Sequence, residues 1–119
     1  MGLIGTNVIE VSNQQFLYLT TKGSKTGRQH QIEIWFASYA GKYYVISERK
    51  EKAHWVQNII HDPTVRFTIN SILFEGTTRI VNRQSESKLS NEVSNLMNTK
   101  YKWSDGLIVE LTPYKEVER

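Results

Sequence analysis

The sequence predicts a mainly β protein: a six-stranded antiparallel barrel with two flanking helices, in one domain over residues 1–119. Three observations lead there. Segments of β-type composition follow one another with short turns between them, which favours antiparallel pairing. The elements read in the order βββ-α-ββ-α-β, with too few helices to cover both faces of a doubly wound parallel sheet. Closing such a meander into a barrel removes its exposed edges. At 119 residues the chain can bury a core without disulfides, but so small a barrel is filled by its own side chains. A sizeable ligand then needs a surface cleft or a subunit interface.

Phe16–Thr21 reads as the first strand, with Gln15 at its start, and Ile32–Ala37 as the core of a second that begins near Gln29. Lys42–Ser47 is the third, reached through the short turn Tyr39-Ala40-Gly41. The period then changes. Trp55, Ile59 and Ile60 fall on one face of a helix over Ala53–His61, which Asp62-Pro63 stops. Val65–Ile69 alternates as a strand, and Asn70-Ser71 turns the chain into a longer one, Ile72–Val81, with Gly76 as a bulge. Ser85–Thr99 forms a second helix with Leu89, Val93, Leu96 and Met97 on its apolar side. Leu107–Leu111 is the last strand, closed by Thr112-Pro113.

Composition narrows the chemistry. There is no cysteine, so disulfides, thiolate metal sites and cysteine nucleophiles are excluded, and a cytoplasmic location is the expectation. Met1–Ser12 lacks a cationic stretch followed by an apolar one, so no secretory leader is expected, and no apolar run is long enough to span a bilayer. The net charge of +3 lies entirely in residues 1–60, which carry seven Lys/Arg against four Asp/Glu; residues 61–119 carry eight of each. That bias suits a small anionic ligand better than the dense basic stripe of a nucleic-acid binder. His30, His54 and His61 lack the spacing and the companion ligands of a metal site, and no Gly-x-Ser-x-Gly elbow is present. With no reactive side chain in evidence, the chain is either a binding protein or one whose chemistry is done by a cofactor. The many large rings, among them Trp35, Tyr43, Tyr44, Trp55, Tyr101 and Trp103, suit either a flat-ring pocket or an ordinary β core.

The loop Lys22–Arg28 is the most informative segment. It holds three cations, two glycines and two hydroxyls, and no acid. Glycines let backbone N–H groups turn toward a ligand, and Lys and Arg supply charge to a phosphate. The residues alone leave two readings open, a seat for a phosphorylated ligand and a solvated hairpin tip.

Three pieces taken in order narrow this further: Leu19–Gly27 with its Thr-Thr-x-Gly-x-Lys-Thr-Gly pattern, Tyr44–Ser47, and His54–Pro63 with its Trp-x-x-Asn-(x)4-Pro pattern. Over roughly Gln15–Asn82 the chain resembles the deazaflavin-dependent nitroreductase family of the split β-barrel flavin-binding superfamily, which includes the pyridoxamine-phosphate oxidases. The resemblance implies an FMN-binding type of split barrel, usually a homodimer, with the cofactor in a cleft beside the barrel. It implies a deazaflavin coenzyme, or FMN as second choice, and hydride transfer to a small organic acceptor such as a quinone or a nitro compound. By position it assigns Lys25, Thr26 and Gly27 to the cofactor's phosphate; members often carry Arg where this chain has His30, and Arg28, directly after Gly27, supplies that charge instead. Ser47 falls near the ring, and Trp55 and Asn58 beside the polar chain. No side chain is assigned a catalytic role and no metal is implied. Two rivals remain: a flavin- or deazaflavin-binding protein without turnover, and a small barrel that binds single-stranded nucleic acid. The second would need basic residues spread along a groove, whereas here they concentrate in one loop.

Overall fold

The computed structural model describes residues 15–117, so the reading of Met1–Ser12 lies outside the described residues. The strands are β1 (Phe16–Lys22), β2 (Gln29–Tyr39), β3 (Lys42–Ser47), β4 (Thr64–Ile69), β5 (Ile72–Ile80) and β6 (Leu107–Val117). A short 3-10 turn at Lys50–Lys52 leads into helix α1 (His54–His61), and helix α2 (Ser87–Tyr101) joins β5 to β6. The strands close in the order β1-β2-β3-β6-β5-β4, with β4 pairing back to β1, and every pairing is antiparallel. The predicted six-stranded barrel with two helices is what the chain forms. Among the described residues, no helix is long and apolar enough to cross a membrane.

Alternation along the strands fills the barrel. Leu17 and Leu19 point inward from β1, with Phe36, Val45, Phe67, Ile69, Val109 and Leu111 from the other strands, and each is 0 % exposed. No room is left inside for a flat ring system. A second core lies outside the barrel, where Val93 and Met97 of α2 pack on Ala37, Tyr44, Ile46 and Ile108. Two-residue turns, Ala40-Gly41 and Asn70-Ser71, have positive φ at both positions, the twist that suits a tight hairpin. The expected bulge sits between Glu75 and Gly76.

The pairing of β2 is divided. Gln29 to Trp35 pair with β1, and only Phe36 to Tyr39 pair with β3. Among the described residues, the first seven residues of β2 therefore have no strand on their second edge.

Two expectations are corrected. β6 does not stop at Thr112-Pro113 but runs on to Val117. Pairing with β3 ends at Leu111, and Pro113 lies opposite Gly76 beside the bulge, a place where a strand tolerates a residue without an N–H. Ile60 does not join the buried face of α1; it is 55 % exposed, while Val56, Asn58 and Ile59 are buried. At about 100° per residue, a face centred between Trp55 and Ile59 keeps Val56 and Asn58 about 80° to either side and turns Ile60 about 120° away.

Register also builds a polar row on the outer face. Tyr44 of β3 and Arg79 of β5 lie directly opposite Glu110 of β6. The Tyr44 hydroxyl donates to Glu110 Oε2 at 2.8 Å, Arg79 Nε to Oε1 at 3.3 Å, and Lys42 Nζ to Oε1 at 3.5 Å. Arg79 also pairs with Glu86, just before α2. Burial opposes ionisation of Glu110, but hydrogen bonds from Arg79 and Tyr44 outweigh it and hold the carboxyl below its ordinary range. A lowered folded-state pKa adds stability above the unfolded-state value, and that stability is lost as the pH falls through the folded value. Glu110→Gln should therefore cost about 1–3 kcal/mol at neutral pH. Thermal melts of the two proteins should draw together as the pH falls below the ordinary carboxylate range and through the lowered folded-state value, where the native carboxyl is also protonated. A constant gap in melting temperature across that range would show that the ionised form contributes nothing.

Candidate functional site

The loop between β1 and β2 closes on itself. Gly23 N–H donates to the Arg28 carbonyl at 2.7 Å, and Gly27 N–H to the Gly23 carbonyl at 2.9 Å. Gly27 has φ +72°, which a side chain would strain. A Cβ on Gly23 would lie 3.1 Å from both His30 Nε2 and Thr26 Oγ1, so the loop packs tightly against the imidazole. Among the described residues, the backbone N–H groups of Lys25 and Thr26 have no hydrogen-bond partner.

Helix α1 is latched to this loop through Asn58. Its Oδ1 accepts the Ser24 N–H at 3.2 Å, and its Nδ2 donates to Thr21 Oγ1 at 3.0 Å. Asn58 and Thr21 are 7 % and 2 % exposed. Two polar side chains this deep need partners, and each supplies the other's. The latch fixes where the helix stands relative to the loop.

Between them lies a cleft of about 700 Å³. The loop lines it with Gly23 to Thr26, β2 with His30, Gln31 and Ile32, and α1 with His54, Trp55, Gln57 and Asn58. Three consecutive strand residues cannot share one face of a strand, so the cleft faces the edge of β2, where β3 has parted from it. The lining contains one lysine and two histidines and no acidic side chain. Trp55 is half-buried, packing on the barrel core while it walls the cleft. This donor set fits an anionic ligand that also carries a flat apolar part. Among the described residues, no three His, Cys, Asp or Glu gather as a metal would require.

Of the residues singled out from the sequence, the structure brings Lys25, Thr26, Trp55 and Asn58 to one cleft. Gly27 and Arg28 belong to the loop but do not line the cleft; the Arg28 N–H bonds Thr26 Oγ1 at 3.2 Å. Ser47 is elsewhere. It is 2 % exposed, and its hydroxyl donates to the Lys50 carbonyl at 2.9 Å, which shapes the turn leading to α1. Asn58 spends both its bonded polar atoms on the chain itself. His30 and His54 line the cleft, although the sequence reading left them as surface residues. Their closeness to the two motifs, three residues after Gly27 and one before Trp55, was the available signal.

Comparison with known proteins places this geometry. The family model of the F420H2-dependent quinone reductases matches residues 2–106. Among solved structures, the heme storage protein HutZ from Vibrio cholerae is 18 % identical with a TM-score of 0.78, over 97 % of this chain and 92 % of that one. A pyridoxamine 5'-phosphate oxidase candidate from Listeria innocua is 11 % identical with a TM-score of 0.74, over 98 % and 97 %. An F420 reductase is 15 % identical with a TM-score of 0.69, over 93 % and 95 %. At such identities these likenesses establish the split-barrel fold alone. No curated protein sequence matches this chain.

The latch makes a direct prediction. Asn58→Leu should cost about 1–3 kcal/mol in urea denaturation, because the Ser24 N–H and Thr21 hydroxyl lose their partner. Thr21→Val keeps the volume but strands the Asn58 amide, and should cost a similar amount. Unchanged midpoints for both variants would mean that helix and loop are held by other contacts.

Proposed function

The chain belongs to the F420H2-dependent quinone reductase family, and on that premise we propose that it is an oxidoreductase passing a hydride from a reduced deazaflavin to a small organic acceptor, such as a quinone or a nitro compound. The observation that carries the proposal is the convergence of the glycine loop and α1 on one acid-free cleft along the open edge of β2. When bound, the deazaflavin supplies the hydride. Everything else asked of the protein is binding, orientation and exclusion of water.

Each part of the lining suits one of those tasks. Lys25 and the unpartnered N–H groups of Lys25 and Thr26 would hold the cofactor's phosphate, with His30 and His54 close by. Ile32 and Trp55 offer apolar walls to a flat ring. Asn58 serves the site by holding the loop in place, and Ser47 by shaping the approach to α1. The barrel interior is full, and the cleft lies open at the surface. We therefore propose a homodimer in which a second copy completes it.

Four measurements test this reading. Absorption titrations should show stoichiometric binding of the deazaflavin and weak or no binding of FMN; the reverse would reassign the cofactor. Lys25→Ala should weaken deazaflavin affinity by about 1.5–3 kcal/mol through loss of a charge-assisted hydrogen bond, with little change in melting temperature. Unaltered affinity would reduce the loop to a turn. Light scattering should give about twice the 13.8 kDa chain mass, and a monomer that still binds cofactor would remove the need for a second copy. Tight binding without oxidation of the reduced deazaflavin by any quinone or nitro compound would make the protein a carrier rather than an enzyme.

A further inference from the structure

The open edge of β2 does not end at Ile32. The next three residues, Glu33, Ile34 and Trp35, line a second hollow of about 440 Å³. Again three consecutive residues take part, so this hollow also faces the edge of the strand. Across it stand Ile46 and Glu48, at and beyond the end of β3, the strand that has parted from β2. The two hollows therefore lie in line along one gap. From His30 to Trp35 the strand advances about 17 Å, enough for two small ligands end to end.

The second hollow is built differently from the first. Phe16, Ile34, Trp35, Ile46 and Trp103 make it apolar and aromatic. The Trp35 ring is held rigidly. It stacks on Tyr101 with centroids 4.5 Å apart and planes 4° from parallel, and Trp103 meets it edge-on at 5.9 Å. The Tyr101 hydroxyl accepts the Phe36 N–H at 3.1 Å and lies 2.9 Å from the Phe36 carbonyl oxygen, which anchors the stack to β2. Tyr101 stands behind the wall and Trp103 forms part of it. The charged residues lining this hollow are Glu33 and Glu48, both exposed at its rim. One gap thus runs from an end lined by lysine and histidine to an aromatic end rimmed by carboxylates.

We propose that the aromatic end is the acceptor compartment, and that its acidic rim selects flat acceptors that are neutral or cationic over anionic ones. The inference rests on the reading of the first hollow as the deazaflavin site, which lies next to this one along β2. Trp35 and Trp103, whose planes stand 72° apart, would meet the acceptor ring one by its face and the other at its edge, and Ile34 and Ile46 would exclude water from it. The quinone gains a hydride and a proton, both lost by the reduced deazaflavin, and leaves as the hydroquinone. Glu33 and Glu48 would repel a sulfonated or carboxylated acceptor and leave a neutral one unaffected.

The test needs no turnover. Tryptophan fluorescence lifetimes of the cofactor-free protein are followed during titration with 1,4-naphthoquinone and with 1,2-naphthoquinone-4-sulfonate. Neutral quinone should shorten the lifetime in wild type and in Trp55→Phe, which keeps the reporters of the aromatic end. It should fail to do so in the Trp35→Phe/Trp103→Phe double variant, which reports only from the other end. Saturable quenching that resides in Trp55 would overturn the placement. The sulfonate should bind more weakly than the neutral quinone, and Glu33→Gln/Glu48→Gln should tighten it by about three- to tenfold while shifting the neutral quinone less than twofold. Equal shifts for both quinones would overturn the charge selection. Failure of the deazaflavin to bind while quenching at Trp35 and Trp103 persists would sink the cofactor reading and leave the compartment standing.

Discussion

Everything distinctive about this molecule depends on β2 changing partners. A strand of eleven residues gives its first seven to β1 and its last four to β3. Backbone N–H and C=O groups along an unpaired edge need another strand, solvent, side chains or a ligand. The barrel closes elsewhere, and its interior is packed with Leu, Val, Ile and Phe side chains. The parting of β2 from β3 is thus where a ligand can meet both backbone and side chains without opening the core.

The surrounding elements keep that gap rigid. The polar row Tyr44–Glu110–Arg79 crosses three strands and reaches Glu86, just before α2. It binds the sheet to the helix that carries Tyr101. Tyr101 in turn fixes Trp35 and grips β2 at Phe36, the residue where its partner changes. At the opposite end Asn58 ties α1 to the glycine loop. A site built this way braces even its loop against strands and helices, which favours geometric precision.

Much of this was legible in the sequence, for identifiable reasons. The first helix and its stop at Asp62-Pro63, the bulge at Gly76 and the span of β3 follow from local chemistry, and the structure agrees on each. The loop motif placed Lys25 and Thr26 where the cleft lies. What stayed hidden depended on pairing. Pro113 read as a terminator because nothing in the sequence says that β6 has already lost one neighbour there. Ile60 read as buried because a two-turn helix leaves the centre of its face poorly determined. Asn58 and Ser47 read as residues near the ligand, and no local pattern shows that both also brace the chain, Asn58 at Ser24 and Thr21 and Ser47 at Lys50. His30 and His54 come together only through a cross-strand register and a helix docking that no local pattern encodes.

The extension of β6 carries a consequence of its own. Among the described residues, the strand beyond Leu111 pairs only with β5, so Thr112 to Val117 form a second open border. Tyr114 on this border lines a hollow of about 260 Å³ together with residues of β1, β4 and β5, and an unpaired border would invite another chain to add a strand. Pro113 interrupts its row of donors, and Lys115 and Glu116 stand exposed along it, both features that discourage such addition. The residues that mislead a reader about where the strand stops are, in the folded protein, a guard against aggregation.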